Sequence, residues 1–594
     1  MNLLALAEMA FQSGDLQSAH RLLLQLVSVE PRNARAHELL GYVYGRSGDN
    51  TTALRHLATA VELDPSPEAL YYQGMYLTRM DRYEEAAIAL RHALTLTGGF
   101  FEGYHDLGMA LSRLGRYLEA LPAYEQAGKV NPDSAPLHYN WGKTLEGCKR
   151  FEEARLHYQK ATELNPEFVQ AWVNLGAVLT EMHQNPESLA CYDKALVLDP
   201  QHARALADKS IALFRLGRFD EACACNEKAL RICSDDAAIH LRYGQLLVEL
   251  KQHDKALEQF AFARGLAPGF ADIDLEEALA RLVLGQFEEG WAKYESRWTY
   301  SKARPLRHVG IPAWQGQYPL VGKRLLIWAE QGLGDSIQFS RYLPALRQFG
   351  CDVVFEVQAD LALLLRDAFP ECQVVAQDDP LPACDYQCPL LSLPLVFKTT
   401  LASIPSRPAY LTPPALALQL WQTKLKSRLS SNALNIGIAF SGNRAHVNDH
   451  ERSMTLQDVL PLTEHVHLFI IQKHLSDADS EIVNGNDRLT FVGDDLHDFT
   501  DTAAMVEQMD LIVTVDTSLA HLAGAIGKPV WILLPWAPEW RWLLERTDSP
   551  WYPSARLFRQ PRYRDWASVI EDVLNAVRRF PASNLSRPTA AEVT

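Results

Sequence analysis

Apolar positions in the first three hundred residues recur at helical spacing, and the breaks between them recur as well. Pro31, Pro65, Gly99, Pro132, Pro166, Pro200, Ser234 and Pro268 stand 34 residues apart, with one step of 33. A second ladder holds Gly41, Gly74, Gly108, Gly142, Gly176, Ser210 and Gly244, and a third runs from Ala19 through Ala53, Ala86, Ala120, Ala154, Ser188 and Ala222 to Ala256. Small residues at matched points let two helices approach closely, and proline stops the second of them. From Lys323 the pattern changes to short apolar runs separated by helical stretches, the signature of an α/β layered fold. Strands are predicted at 325–328, 352–357, 372–376, near Tyr386, and at 434–440, 467–472, 489–493, 510–515 and 529–534. Helices are predicted over 359–369, 415–429 and 565–580, and also after a glycine turn, through Ile337, Phe339, Tyr342, Leu343 and Leu346.

The 34-residue period, with Tyr83, Tyr117, Phe151 and Phe219 in phase, resembles the tetratricopeptide repeat over residues 1–298, as eight or nine helix pairs. The resemblance implies an α-solenoid with a long concave face that holds a protein or peptide. Tyr104, Asn140 and Asn174 are candidates to line that face or to pack within it. Asp272 and Asp274 form a DxD, but they open a repeat helix, where acidic residues favour the dipole, and are not read as metal ligands. Residues 299–322, rich in Pro, Gly and Trp, read as an ordered connector.

At 594 residues the chain has room for several domains, and a net charge of −16 argues against a nucleic-acid partner. Nine cysteines without a CxxC pair suit a reducing cytoplasm, with a metal held at Cys384 and Cys388 as a minor alternative. The apolar N-terminus lacks a basic n-region and reads as a first repeat helix, and no stretch has the length of a membrane span.

Four loops, each following a predicted strand, carry the candidate chemistry. Gly332-Leu333-Gly334-Asp335 places an aspartate at a tight turn where backbone N–H groups face outward; as structure alone, it is a helix capped by Asp335. Ser441-Gly442-Asn443-Arg444, continuing to Asn448, Asp449, Arg452 and Ser453, offers small residues and two arginines able to fork onto phosphate oxygens. Gln472-Lys473 adds a lysine that either contributes charge or faces water. In Asp516-Thr517-Ser518-Leu519-Ala520-His521 a strand ends in an aspartate, and a helix opens with two hydroxyls and a histidine one turn along.

VDTSLAHLAGAIGKPVWILL resembles the D-T-x-x-x-H signature of glycosyltransferase family 9, the ADP-heptose:lipopolysaccharide heptosyltransferases, and QGLGDSIQ resembles their N-terminal Gly-Asp turn. The resemblance covers about 323–580 and implies a GT-B fold of two Rossmann-like lobes. These are an acceptor lobe at 323–414, an inter-lobe helix at 415–433 and a donor lobe at 434–580, followed by a frayed tail at 581–594. It implies that Asp335 is the catalytic base and that Asp516, Thr517 and His521 contact the donor diphosphate. Ser441, Asn443, Arg444, Arg452, Gln472, Lys473 and Ser518 complete the expected donor site, with Gly332 and Gly334 in the turn. Arg444 and Arg452 stand where those enzymes place a lysine. The union with repeats is similar to the O-GlcNAc transferases, whose lysine and histidine-threonine signatures are not matched. The expectation is a bacterial, cytoplasmic, inverting glycosyltransferase that needs no metal or cofactor. It would take a sugar from a nucleotide-sugar donor to an acceptor, most simply a protein, recruited by the repeats. The alternatives are a heptosyltransferase acting on a surface glycan and a tetratricopeptide scaffold carrying a relic transferase domain. In the Trp-rich segment 536–560, Trp536, Trp540, Trp542 and Trp551 are able to stack on a sugar or base, but the segment is read first as packing between lobes, with Glu539 and Arg541 unassigned.

Overall fold

The structure, a computed structural model, describes residues 2–301, 305–405, 407–430, 432–443 and 449–580. Arg444 and Asn448 of the predicted donor loop, and the predicted tail 581–594, lie outside the described residues. Contacts divide the chain into two compact units, 1–235 and 236–594.

Among the described residues the first unit holds fourteen helices, from Leu3–Gln12 to Phe219–Ile232, joined in antiparallel pairs such as Ala34–Arg46 with Asn50–Leu63 and Ala135–Gly147 with Phe151–Leu164. The glycine ladder is where each pair closes. A methyl group at Gly41 would meet Leu57 at 2.5 Å, at Gly74 it would meet Leu90 at 2.6 Å, and at Gly142 it would meet Tyr158 at 2.8 Å. The alanine ladder is buried along its whole length. Gly142→Ala should therefore destabilise the protein by about 1–3 kcal/mol, because the buried Tyr158 ring has nowhere to go. Gly265→Ala, with no atom within 4 Å of the new methyl, should instead stabilise it by about 0.5–1 kcal/mol through helix propensity alone. Urea midpoints read both effects, and equal shifts would remove the packing argument.

Two of these pairs carry facing histidines. His37 and His56 meet Nδ1 to Nδ1 at 3.0 Å, and His138 and His157 at 2.9 Å. His37 and His138 each hydrogen-bond through Nε2 to the carbonyl of the proline that ended the preceding repeat, Pro31 or Pro132. Burial first, and the facing ring second, push His56 and His157 down to about 4. An unfolded chain then binds more protons than the folded one below about pH 6.5, so stability falls as pH drops from there toward 4. The rings are partly solvated, so we expect about 1 kcal/mol lost per pair near pH 5. In the second unit Gln259 fills the same place opposite His240, with its Oε1 2.8 Å from the ring Nδ1. His157→Gln should accordingly narrow the gap in Tm between pH 7.5 and pH 5. An unchanged gap would clear the pair of any part in acid sensitivity.

The second unit opens with four more helices, Ala237–Glu249, His253–Leu266, Ala271–Val283 and Phe287–Tyr294. Asp272 and Asp274 lie in the first turn of the third; Asp274 pairs with Lys293 at 2.9 Å, and Asp272 accepts from the Ser301 N–H at 2.9 Å. Two parallel sheets follow. The first contains β1 (Arg324–Trp328), β2 (Asp352–Val357), β3 (Gln373–Ala376) and β4 (Tyr386–Pro389), in the order β3-β2-β1-β4. The second contains β5 (Leu434–Ala439), β6 (Val466–Ile470), β7 (Leu489–Phe491), β8 (Leu511–Val515), β9 (Val530–Leu534) and β10 (Ala555–Arg559). Its order is β10-β9-β8-β5-β6-β7. In each sheet the chain starts centrally, runs to one edge and then returns to the other side. The order reverses between β1 and β4, and between β5 and β8, and ligands bind open sheets beyond the carboxyl ends of the strands at such reversals.

Three local features depart from the sequence reading. The helix after the glycine turn is α-helical only over Leu333–Phe339 and continues as a 3-10 helix over Ser340–Phe349, because Pro344 lacks the N–H that an α-turn requires. Strand β10 lies within the Trp-rich segment, where the sequence reading places no strand. Asp335 is the third residue of its helix rather than its cap, which is Gly332. Trp540, Trp542 and Trp551 are buried, and Trp540 meets Trp291 edge-on at 5.2 Å while Trp551 meets Phe339 at 5.8 Å. The core of this unit thus runs from its opening helices to its last strands.

Candidate functional site

The turn after β1 begins with Glu330, a buried carboxylate that burial pushes up to about 7 against the pull of Arg297. Arg297 pairs with it at 3.2 Å, and the N–H groups of Leu390 and Leu391, just beyond β4, donate to it at 3.0 and 3.1 Å. Gln331 donates to the Tyr294 hydroxyl at 2.9 Å, and its carbonyl accepts from Gln358 at 2.7 Å. These contacts fix both ends of the reversal in the first sheet, so the Gly332–Asp335 turn leaves β1 along one defined path.

Asp335 projects from that turn with its side chain 17% exposed. One carboxylate oxygen accepts from the Gly332 N–H at 2.9 Å, and the other accepts from the guanidinium of Arg541. Arg541 is itself buried. It donates through Nε to Gln338 Oε1 at 2.6 Å and through its remaining nitrogen to Glu539. A residue 206 positions away therefore holds the carboxylate of the Gly-Asp turn.

The helix Ser518–Ile526, leaving β8, abuts the same turn. A methyl on Gly334 would meet His521 Cδ2 at 2.7 Å and the Ser518 Cα at 3.5 Å, so only glycine permits this approach. Thr517 stands at the helix cap but turns its hydroxyl to Thr514, 3.1 Å away, and no side chain caps the first N–H groups. Those groups and the helix dipole suit an anion. His521 is buried, stacks on Trp542 at 5.4 Å and hydrogen-bonds through Nδ1 to the Tyr552 hydroxyl at 2.9 Å. Burial, and then Arg541, Arg341 and Arg452, push the imidazole well below its ordinary value, so it is neutral at pH 7. The neutral ring carries one proton, on Nε2 when Nδ1 accepts from Tyr552 and on Nδ1 when it donates to that hydroxyl. Burial pushes the Asp516 carboxyl up, with Arg541 and Arg452 opposing.

Arg452 joins the loops of the second sheet: it donates to the Asp516 carbonyl at 2.9 Å and to Asp449 at 3.4 Å. Ser453 bonds Asp449 at 2.9 Å and accepts from the Gly442 N–H at 3.0 Å. Ser441 lies 3.4 Å from Gln472, and Asn443 and Lys473 are exposed. The structure therefore brings Gly332, Gly334, Asp335, Arg452, Asp516, Thr517, Ser518 and His521 to one place, with Ser441 and Gln472 paired on the flanking strand ends. Lys473 is not drawn into that hydrogen-bonded set. Sequence reasoning left Arg541 unassigned and missed Gln338 and Tyr552. The signal present was a lone arginine between Trp540 and Trp542, a charge set in a run too apolar to be a solvated loop.

Cys388 is buried in β4, all nine cysteines are free thiols, and among the described residues no group of three or more His, Cys, Asp or Glu is placed to hold a metal ion. No helix among them is long and apolar enough to cross a membrane. In the array, Asn140 bonds His105 at 3.1 Å and Asn174 bonds the Tyr158 hydroxyl at 3.3 Å.

Residues 4–44, 41–99, 101–134, 135–168 and 167–235 match models of the tetratricopeptide repeat, and the helix pairs of the first unit are repeats of that kind. Protein FlbA of Caulobacter vibrioides (strain ATCC 19089 / CIP 103742 / CB 15) is 28% identical over 345 residues, covering 54% of this chain. The chain spans 57% of the length of that relative. Among solved structures, a tetratricopeptide repeat protein from Parabacteroides merdae ATCC 43184 is 20% identical, with a TM-score of 0.36 over 40% of this chain and 95% of its own. YrrB, described as a TPR protein with an unusual peptide-binding site, is 23% identical, with a TM-score of 0.30 over 32% of this chain and 97% of its own. MamA from Desulfovibrio magneticus RS-1 is 24% identical, with a TM-score of 0.28 over 28% and 96%.

Proposed function

We propose that the second unit is an inverting glycosyltransferase of GT-B architecture, similar to glycosyltransferase family 9, and that the repeats recruit a protein or peptide acceptor in the cytoplasm. The observation that carries the reading is the meeting of the Gly332–Asp335 turn, beyond β1, with the uncapped Ser518–Ile526 helix, beyond β8. An inverting transfer needs two things in one place: a carboxylate to take the acceptor proton, and a cradle for the departing diphosphate. Asp335 has the first chemistry. The helix N–H groups, the His521 imidazole in its Nε2–H tautomer and the Arg452 guanidinium, shared with Asp449, have the second. Both Asp335 oxygens already accept one hydrogen bond, yet each keeps a lone pair for an acceptor hydroxyl.

A panel of nucleotide sugars, read by thermal shift, tests this. A donor that binds only the folded protein stabilises it by about 2.7 kcal/mol at a hundred times its Kd. His521→Gln and Asp516→Asn should weaken that donor by about 1–3 kcal/mol each. A panel without any shift would sink the transferase reading, and unchanged affinity in both variants would move the donor away from this helix.

A further inference from the structure

Asp335 belongs to the turn beyond β1 and His521 to the helix beyond β8, yet adjacent residues of one short turn grip them both. That turn is the 3-10 turn Trp540–Trp542, between β9 and β10. It sends the Arg541 guanidinium to the Asp335 carboxylate and lays Trp542 on the His521 ring, with 5.4 Å between centres and 22° between planes. Gln338, three residues after Asp335 on the same helix, takes the Arg541 Nε–H at 2.6 Å. There is little slack between the gripped groups, because a methyl on Gly334 would already stand 2.7 Å from the His521 ring.

The turn is itself held. All three of its residues are buried, Trp540 meets Trp291 edge-on at 5.2 Å, and the Trp542 carbonyl accepts from Arg559 Nη2 at 2.6 Å. Directly after it comes Leu543, at φ 55° and ψ −167°. Glycine adopts that conformation freely, whereas a bulky side chain keeps it only where its surroundings leave no alternative. Among the described non-glycine residues of positive φ, Leu543 is the one aliphatic residue, the others being Asp, Lys, His or Arg. It is 7% exposed, so its side chain is packed into the core beside the bend. A strained, packed residue thus follows immediately on the two that reach Asp335 and His521.

We propose that Arg541 and Trp542 are positioning residues acting as one piece, and that the strained bend at Leu543 sets that piece, so that the carboxylate of Asp335 and the helix of His521 keep a fixed separation. The roles of those two groups rest on the transferase reading. In an inverting transfer the acceptor loses its proton as the diphosphate leaves, and a misplacement of about 1 Å costs on the order of 100-fold in rate. Glycine would make the bend without strain but would leave it free to drift; a packed leucine fixes it. Precision at the site offsets the local cost.

Substitutions at Leu543 in the full chain test this, because Leu543 supplies no polar group to the site. Leu543→Ala and Leu543→Gly both lose the packing, but only the glycine variant loses the strain. It should therefore melt about 2–4 °C above the alanine variant, the reverse of the usual order. The Gly332 amide, which donates to the Asp335 carboxylate at 2.9 Å, should nevertheless exchange with solvent faster in Leu543→Gly than in the unmodified chain, since the grip has loosened. Turnover should follow the grip and not the melting point. With the nucleotide sugar identified by thermal shift, kcat for its hydrolysis should fall about 10–100-fold in Leu543→Gly. Trp542→Phe, which still stacks on His521, should also lower kcat at saturating donor; an effect confined to KM would separate Trp542 from the base and overturn the single piece. An alanine variant more stable than the glycine variant would show a bend without strain, and unchanged exchange at Gly332 would show a bend that does not hold Asp335. Either result overturns the proposal, and neither measurement needs a nucleotide. A panel that yields no donor sinks the transferase reading, while melting and exchange still decide whether the bend sets the grip.

Discussion

Asp335→Asn is expected to lower kcat by about 10²–10⁴-fold, the usual contribution of a general base, while nucleotide-sugar affinity stays near that of the unmodified protein. The loss should appear equally in kcat and kcat/KM, since proton removal belongs to the transition state and not to ground-state binding. The structure adds a condition that a helix residue at this position would not by itself impose. Both oxygens of Asp335 accept, one from the Gly332 N–H and one from Arg541. Asparagine supplies a single acceptor oxygen, so its amide must face either the backbone N–H or the guanidinium. A stability loss of about 1–2 kcal/mol should therefore accompany the substitution, the penalty for one unsatisfied donor. That loss is far too small to unfold the protein, and measured donor affinity separates it from catalysis. Near-normal turnover would take Asp335 out of the mechanism and leave it as the third residue of a short helix that bonds back to Gly332.

The reach of the sequence is set by which interactions are local. Every repeat must place a small residue where its two helices touch, so Gly41, Gly74, Gly108 and Gly142 recur at steps of 33 or 34 residues and the array is readable at sight. Strands β1, β5, β8 and β9 are buried on both faces over most of their length and appear as near-continuous apolar runs, broken only by Arg324 at the start of β1, Asn435 in β5 and Thr514 in β8. β10, ARLFR, sets an exposed Arg556 among buried residues, ends in Arg559, and lies among tryptophans that point to packing of any kind, so its strand character was hidden. The loops of the candidate site were legible because glycine, aspartate and hydroxyl residues mark the ends of strands. Their partners were not. Gln338 and Tyr552 look like ordinary helix and loop residues until the fold places them against Arg541 and His521.

Arg541 is the residue on which these long-range contacts converge, and its removal should have the largest effect on stability. Arg541→Met keeps much of the packing between Trp540 and Phe339, whose rings the guanidinium overlies at 4.2 and 5.9 Å. It removes the donors to Asp335, Gln338 and Glu539 together. Glu539, 45% exposed, can turn to water, but Asp335 and Gln338 cannot do so fully. Removing one partner from a buried pair costs about 3–5 kcal/mol, and the partial exposure of Asp335 places this site near 3 kcal/mol. The urea midpoint reads the loss, and 1 M salt should change it little, because so enclosed a pair is poorly screened. The cause can be isolated by a second substitution. If the penalty is an uncompensated Asp335 carboxylate, Arg541→Met should cost roughly 1–2 kcal/mol less in an Asp335→Asn background, a coupling of the size found for residues in direct contact. Additive losses would mean that Arg541 holds the tryptophan cluster rather than the carboxylate. The join between the Gly-Asp turn and the last strands of the second sheet would then rest on ring packing alone.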